Sequence, residues 1–223
     1  MFIHVNGIDL FYEVCGSGRP LLLVHGNGED HTIFSEGIEE LKHRFTCYSI
    51  DSRCHGASTV TEELHYQDMA DDVTAFLAAL DLKDVLYYGF SDGGIVGLLA
   101  AMKTDRITTL VTSGANVTPD GVKPWLKTVI RAMNFLNSDS KLKLMLNEPH
   151  IGAEDLDQIS ATALVLAGEK DVVTEKETRF IAEHVRNSEL RIIPGEGHGS
   201  YIVHSTKFVR YLVYADACLH EKP

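Results

Sequence analysis

The chain has 223 residues, 44% hydrophobic and 23% charged, with a formal net charge of −12. That size and balance describe one folded domain with an ordinary core and exclude a disordered or fibrous chain. A net negative field repels phosphate, so neither nucleic acid nor a lipid-headgroup surface is an expected partner.

No stretch approaches the ~18 apolar residues of a membrane-spanning helix, and the first residues, Met1-Phe2-Ile3-His4, open no basic and apolar leader. The cysteines Cys15, Cys47, Cys54 and Cys218 lack any C-x-x-C pairing. They read as reduced thiols of a cytoplasmic protein.

In chain order, Phe2–Val5 and Leu10–Val14 flank Asn6-Gly7, the signature of a hairpin turn. Pro20-Leu21-Leu22-Leu23-Val24 is an unalternated apolar run, as in a strand buried on both faces. A helix over 34–45 and a strand over 46–50 follow. Tyr66, Met69, Ala70, Val73, Phe76, Leu77 and Leu80 keep the i, i+3, i+4, i+7 spacing of an amphipathic helix. Further on, strands are predicted at 85–88, 107–112, 163–167 and 190–193. Helices are predicted at 94–102, 175–185 and 201–214, the second opened by a capping box of Thr174 and Glu177.

Strands alternating with helices of this length define an α/β protein with a mostly parallel sheet covered on both faces. The rhythm breaks between Ala115 and Ala161, where 124–136 and 140–146 carry helical spacing. The expected division is therefore a core of 1–116 and 161–223 with a helical lid at 117–160.

In open α/β sheets reactive groups collect at the carboxyl ends of strands. Gly89-Phe90-Ser91-Asp92-Gly93 stands directly after one strand and before an apolar helix, the G-x-S-x-G pattern in its confirming context. A serine on so sharp a turn needs neighbours without a Cβ, which glycine supplies on both sides. Its hydroxyl needs a base, and the base an orienting acid. Gly168-Glu169-Lys170-Asp171 follows one late strand and Gly195-Glu196-Gly197-His198-Gly199 the next. Ser91, Asp171 and His198 are thus the catalytic candidates, with Glu169 as the alternative acid. Oxyanion donors are the backbone N–H of Asp92 and that of Asn27 in His25-Gly26-Asn27-Gly28, with Gly28 as its alternative. Trp125, Met133, Phe135 and Met145 are candidate apolar contacts for the substrate.

Together with Asp51-Ser52-Arg53-Cys54-His55-Gly56-Ala57-Ser58, these motifs resemble the α/β-hydrolase fold family over nearly the whole chain. Cys54 stands where the family has glycine, and its thiol is a candidate to face the pocket. The resemblance implies an eight-stranded sheet, a lid after the sixth strand and a cofactor-free Ser-His-Asp mechanism. It is nearest to the branch of small esterases, enol-lactonases and C–C hydrolases.

The expected activity is hydrolysis of a small carboxylic ester, thioester or lactone through an acyl-enzyme. Two alternatives are a C–C bond or aminopeptidase-type amide hydrolase on the same residues, with Lys123, Lys127 and Arg131 able to meet a carboxylate, and a non-catalytic module using the pocket to bind a ligand. Neither metal-ligand spacing such as H-E-x-x-H nor a phosphate-cradling G-x-x-x-x-G-K-[ST] occurs, so no cofactor and no metal are expected. The partner is a small-molecule substrate, with the chain a monomer or homodimer.

Overall fold

The computed structural model describes residues 1–219. Its eight strands are β1 (Phe2–Val5), β2 (Ile8–Gly16), β3 (Arg19–Val24), β4 (Phe45–Ile50), β5 (Val85–Phe90), β6 (Ile107–Ser113), β7 (Thr162–Lys170) and β8 (Ser188–Gly197). They form one sheet in the order β1-β2-β4-β3-β5-β6-β7-β8. The hairpin β1–β2 turns at Asn6-Gly7, both with positive φ, and joins β4 antiparallel; every later pairing is parallel. The eight helices are α1 (Ser35–Leu41), α2 (Tyr66–Ala79), α3 (Asp92–Ala101), α4 (Pro124–Asn137), α5 (Ser140–Asn147), α6 (Ala153–Leu156), α7 (Glu175–His184) and α8 (Val209–Cys218).

The apolar run of β3 is divided between two cores. Leu22 and Val24 join one cluster with α2 and α3, and Leu21 and Leu23 the other with α1 and α8. β5 divides in the same way, Val85 and Tyr87 on one face and Leu86, Tyr88 and Phe90 on the other. Period-two alternation puts successive side chains on opposite faces, so a strand covered on both sides has no polar positions.

Three local expectations change. The capping box at Thr174 does not form, because Glu177 is recruited elsewhere. Its carboxylate accepts the N–H groups of Val117 (2.8 Å) and Thr118 (3.0 Å) and the Thr118 hydroxyl (3.2 Å). The first helix is shortened to α1, preceded by a 3-10 turn at His31–Phe34. The last helix begins only at Val209: Tyr201, Ile202 and Phe208 are fully buried, but from turns rather than a helix. Their spacing reflects burial against the sheet, which a loop can also supply.

Between β6 and β7 lie only helices. Val117, Ile151, Leu156 and Ile159 belong to the main core, as does Leu144 of α5, so of these helices it is α4 that stands away from it. Its entry is tied down by a bridge between Val122 and Val173 and by the Lys123 N–H on the Val172 carbonyl (2.8 Å). The whole insertion thus starts beside Asp171.

Candidate active site

β5 ends at Phe90, and Ser91 follows at φ 53°, ψ −115°, a backbone conformation that costs a non-glycine residue about 1–3 kcal/mol. The strain is held by close packing. A Cβ on Gly89 would lie 2.2 Å from the Gly93 carbonyl oxygen, and one on Gly93 would lie 2.1 Å from that of Val24. Those two glycines let α3 cross directly over β3 and β5 and raise the serine above the strand ends.

His198 arrives immediately after β8 and Asp171 immediately after β7. His198 Nε2 lies 3.1 Å from Ser91 Oγ, and His198 Nδ1 lies 2.6 Å from Asp171 Oδ1. Asp171 is buried and also accepts the N–H of Val173 (2.9 Å) and that of Gly168 (3.3 Å). Burial pushes its carboxyl up, but the His198 bond and charge and the two amides outweigh burial and leave it below the usual carboxylate range. It is therefore an anion at neutral pH, aimed at one edge of the imidazole. Phe90 packs against the ring, centroid to centroid 4.9 Å. Glu169, the alternative acid, instead accepts the Gly195 N–H (2.8 Å).

Ser91 and His198 open into a cavity of about 200 Å³. Asn27 and Asp92 line it, and among the described residues no acceptor takes the backbone N–H of either. Their side chains are bonded to each other: Asn27 Nδ2 donates to Asp92 Oδ2 (2.8 Å) and to the Lys141 carbonyl at the start of α5 (3.3 Å). Tyr66 of α2 lines the cavity as well, and burial raises the Asp92 carboxyl despite the opposing effect of the Asn27 and Tyr66 side chains.

Of the four apolar candidates, the structure brings only Met145 to the cavity; Leu126 and Ile130 line it from α4. Trp125, Met133 and Phe135 lie on the outer side of that helix, with Phe135 90% exposed. The correction has a simple cause: α4 carries two apolar stripes, and the one at 126 and 130 faces inward.

Sequence reasoning also missed Glu29 and Glu148, which line the cavity, the latter's carboxylate accepting the Tyr66 N–H (3.1 Å) and pairing with His65, while Lys123, Lys127 and Arg131 do not line it. Glu29 accepts the Gly26 N–H (3.0 Å), and burial pushes its carboxyl up. Its place two residues beyond Asn27 was the available signal; for Glu148 there was none. The Cys54 thiol turns away from the cavity to Thr61, whose N–H it accepts at 3.3 Å. Cys54 holds φ 63°, a left-handed conformation that glycine adopts more readily. Arg53 makes a buried two-pronged pair with Asp72 (2.6 and 2.5 Å) and locks this loop onto α2.

Beneath the Asn27 loop, His25 is buried. The Ser52 N–H donates to its Nε2 (3.0 Å), so the ring proton sits on Nδ1 and is given to the Gly26 carbonyl (2.8 Å). Burial lowers this imidazole to about 4 from 6.5. Below pH 6.5 the unfolded ring takes a proton that the folded one refuses until about 4. Stability present in full above the unfolded value is thus lost as pH falls through that window, by up to about 3 kcal/mol. Denaturant unfolding at several pH values is expected to show this decline. His25→Gln, less stable at neutral pH, should flatten it, and an equally steep variant would rule His25 out as the source.

This arrangement defines a class. Residues 19–143 match the model of the alpha/beta hydrolase fold, more than half of the chain, and the protein belongs to that family. It is a hydrolase, similar along most of its length to enzymes of that kind. The serine hydrolase BPHL of Mus musculus is 28% identical, the alignment covering 93% of this chain and 83% of the relative. The 3-oxoadipate enol-lactonase 1 of Acinetobacter baylyi is 23% identical, with 94% of each covered. Among solved structures, a thermophilic esterase from Thermogutta terrifontis superposes with a TM-score of 0.80 at 23% identity, covering 99% of both chains. Among the described residues no helix is long and apolar enough to cross a membrane.

Proposed function

We propose that the protein hydrolyses a small carboxylic ester, thioester or lactone, with Ser91 as nucleophile, His198 as general base and acid, and Asp171 as the group that orients the imidazole. The observation that carries this reading is the unbroken hydrogen-bonded series Asp171–His198–Ser91, whose last two members line the cavity. His198 Nε2 takes the hydroxyl proton as Ser91 Oγ bonds to the carbonyl carbon. The backbone N–H groups of Asn27 and Asp92 receive the developing oxyanion, and preorganised donors of this type each contribute roughly 3–4 kcal/mol to the transition state. His198 then gives its proton to the departing alkoxide or thiolate. Water repeats the sequence on the acyl-enzyme, releasing the acid and restoring Ser91. In this reading α4 and α5 serve as a short lid.

The cavity lining discriminates among substrates. Among the described residues it holds Glu29, Asp92 and Glu148 but neither lysine nor arginine, so a substrate carboxylate would enter without a partner beside fixed acids. Like-charge juxtaposition of this kind costs several kcal/mol. That disfavours C–C hydrolysis of acid-bearing substrates and leaves an aminoacyl amide or ester, whose ammonium the same acids would meet, as the second reading. A substrate panel tests the order. Turnover of p-nitrophenyl acetate and a simple lactone, with aminoacyl analogues equal or better, is expected. For acid-bearing analogues kcat/KM should fall by roughly 100-fold or more. Preference for the acid-bearing compounds would reject the proposal.

A further inference from the structure

The outer face of α4 has no role in the reaction described above. Trp125, Val129, Met133 and Leu136 fall at i, i+4, i+8 and i+11, the spacing of a stripe normally buried. Here it faces out: Leu136 is 76% exposed and Trp125 57%, with Phe135 beside them. Five such side chains on one short helix form a contiguous apolar patch of the kind that marks an interaction site.

Charge says what covers it. Residues 120–148, α4 and α5 with their flanking residues, carry five Lys or Arg against Asp120, Asp139 and Glu148, in a chain that has 20 basic and 32 acidic residues overall. Lys127 is paired with Asp120, and Lys141 lies 3.9 Å from Asp139. Lys123, Arg131 and Lys143 are in no ion pair among the described residues. At physiological ionic strength charges are screened beyond about 8 Å, so a surface touching α4 feels these cations more than the acidic body behind them. The whole-chain charge that argued against a headgroup surface conceals this local reversal.

We infer that α4 and the basic residues around it dock the protein on an anionic lipid surface, with Trp125, Phe135 and Leu136 entering the headgroup–acyl boundary and Arg131 and Lys143 meeting lipid phosphate or carboxylate. A helix with apolar aromatic and leucine side chains beside lysine and arginine is the form that lies in such an interface. A second copy of the chain is the competing occupant. A two-fold contact places a surface patch on itself, and here that sets cations against cations. The inference does not depend on the catalytic reading, since binding is measured without turnover.

Trp125 is the chain's one tryptophan, so tryptophan emission reports on this face alone. The full-length protein is titrated with vesicles of phosphatidylcholine, with and without about one-third phosphatidylserine, at low and high salt. Expected are a blue-shifted Trp125 emission and co-sedimentation with the anionic vesicles only. Salt should weaken binding, and both Phe135→Ser/Leu136→Ser and Arg131→Glu/Lys143→Glu should weaken it at least 10-fold at unchanged Tm. No shift at low salt, or equal binding to neutral vesicles, overturns the proposal. So does a dimer in sedimentation velocity that the Phe135→Ser/Leu136→Ser variant abolishes, accompanied by no vesicle binding.

Discussion

Ser91→Ala and His198→Ala are each expected to lower kcat on p-nitrophenyl acetate by roughly 10⁴–10⁶, and the double variant to be scarcely worse than either alone. The reason lies in how the proton moves. In the proposed mechanism, with Nε2 3.1 Å from Oγ, attack by the oxygen and removal of its proton are one event, so deleting either partner forfeits the whole step. What survives is binding and the oxyanion donors, worth roughly 10³–10⁴ over water. Asp171→Asn, which keeps the shape but loses the anion held against Nδ1, should cost about 10⁴. Single-turnover kinetics would measure all four variants, with fluorophosphonate labelling of the wild type counting its competent sites. Additive losses, or wild-type turnover by Ser91→Ala, would mean that the side chains do not act as one unit. The backbone adds an independent check, because Ser91 holds a positive φ. Ser91→Gly should be more stable than Ser91→Ala by about 1 kcal/mol while equally inactive.

The sheet was legible because strands covered on both faces have no polar alternation: the runs in β3 and β5 could not be amphipathic helices or half-exposed strands. The convergence of Ser91, Asp171 and His198 followed from a topological rule, since each stands just after a strand and parallel strands bring those ends together. What sequence could not supply was the sign of a direction. α4 repeats apolar residues at 125, 129, 133 and 136 and again at 126 and 130, and periodicity identifies both stripes without saying which meets the core. Nor could it foresee competition for a carboxylate. Thr174 and Glu177 have the spacing of a capping box, yet the unpaired amides of Val117 and Thr118, 60 and 59 residues earlier, hold Glu177 instead. Glu148 entered the cavity lining unannounced because its position depends on where α5 ends, a packing outcome with no local motif.

Asn27→Asp is expected to reduce kcat by roughly 10²–10³ with little change in KM, although the mutation leaves the backbone donor in place. The two N–H groups proposed to receive the oxyanion belong to Asn27, in the loop after β3, and to Asp92, the first residue of α3. Their relative position is fixed by the 2.8 Å bond between the Asn27 amide and the Asp92 carboxylate. An aspartate at 27 would turn that bond into a contact between two carboxylates and release the Lys141 carbonyl from its donor. The Asn27 loop would move away from the start of α3, and donors misplaced by even a fraction of an ångström lose most of their value, because they must meet an oxygen that exists only in the transition state. Asp92→Asn should be mild, since Asn27 can still donate to the new carbonyl. Combining the two reverses the polarity of the bond without removing it, with the amide at 92 donating to the carboxylate at 27. The double variant should therefore recover at least 10-fold over Asn27→Asp, a non-additivity expected of side chains in direct contact. Steady-state kinetics on the three variants, with thermal melts as the control for folding, decides the matter. If the double variant is as slow as Asn27→Asp while all three melt like the wild type, the side-chain bond does not set the spacing of the two donors.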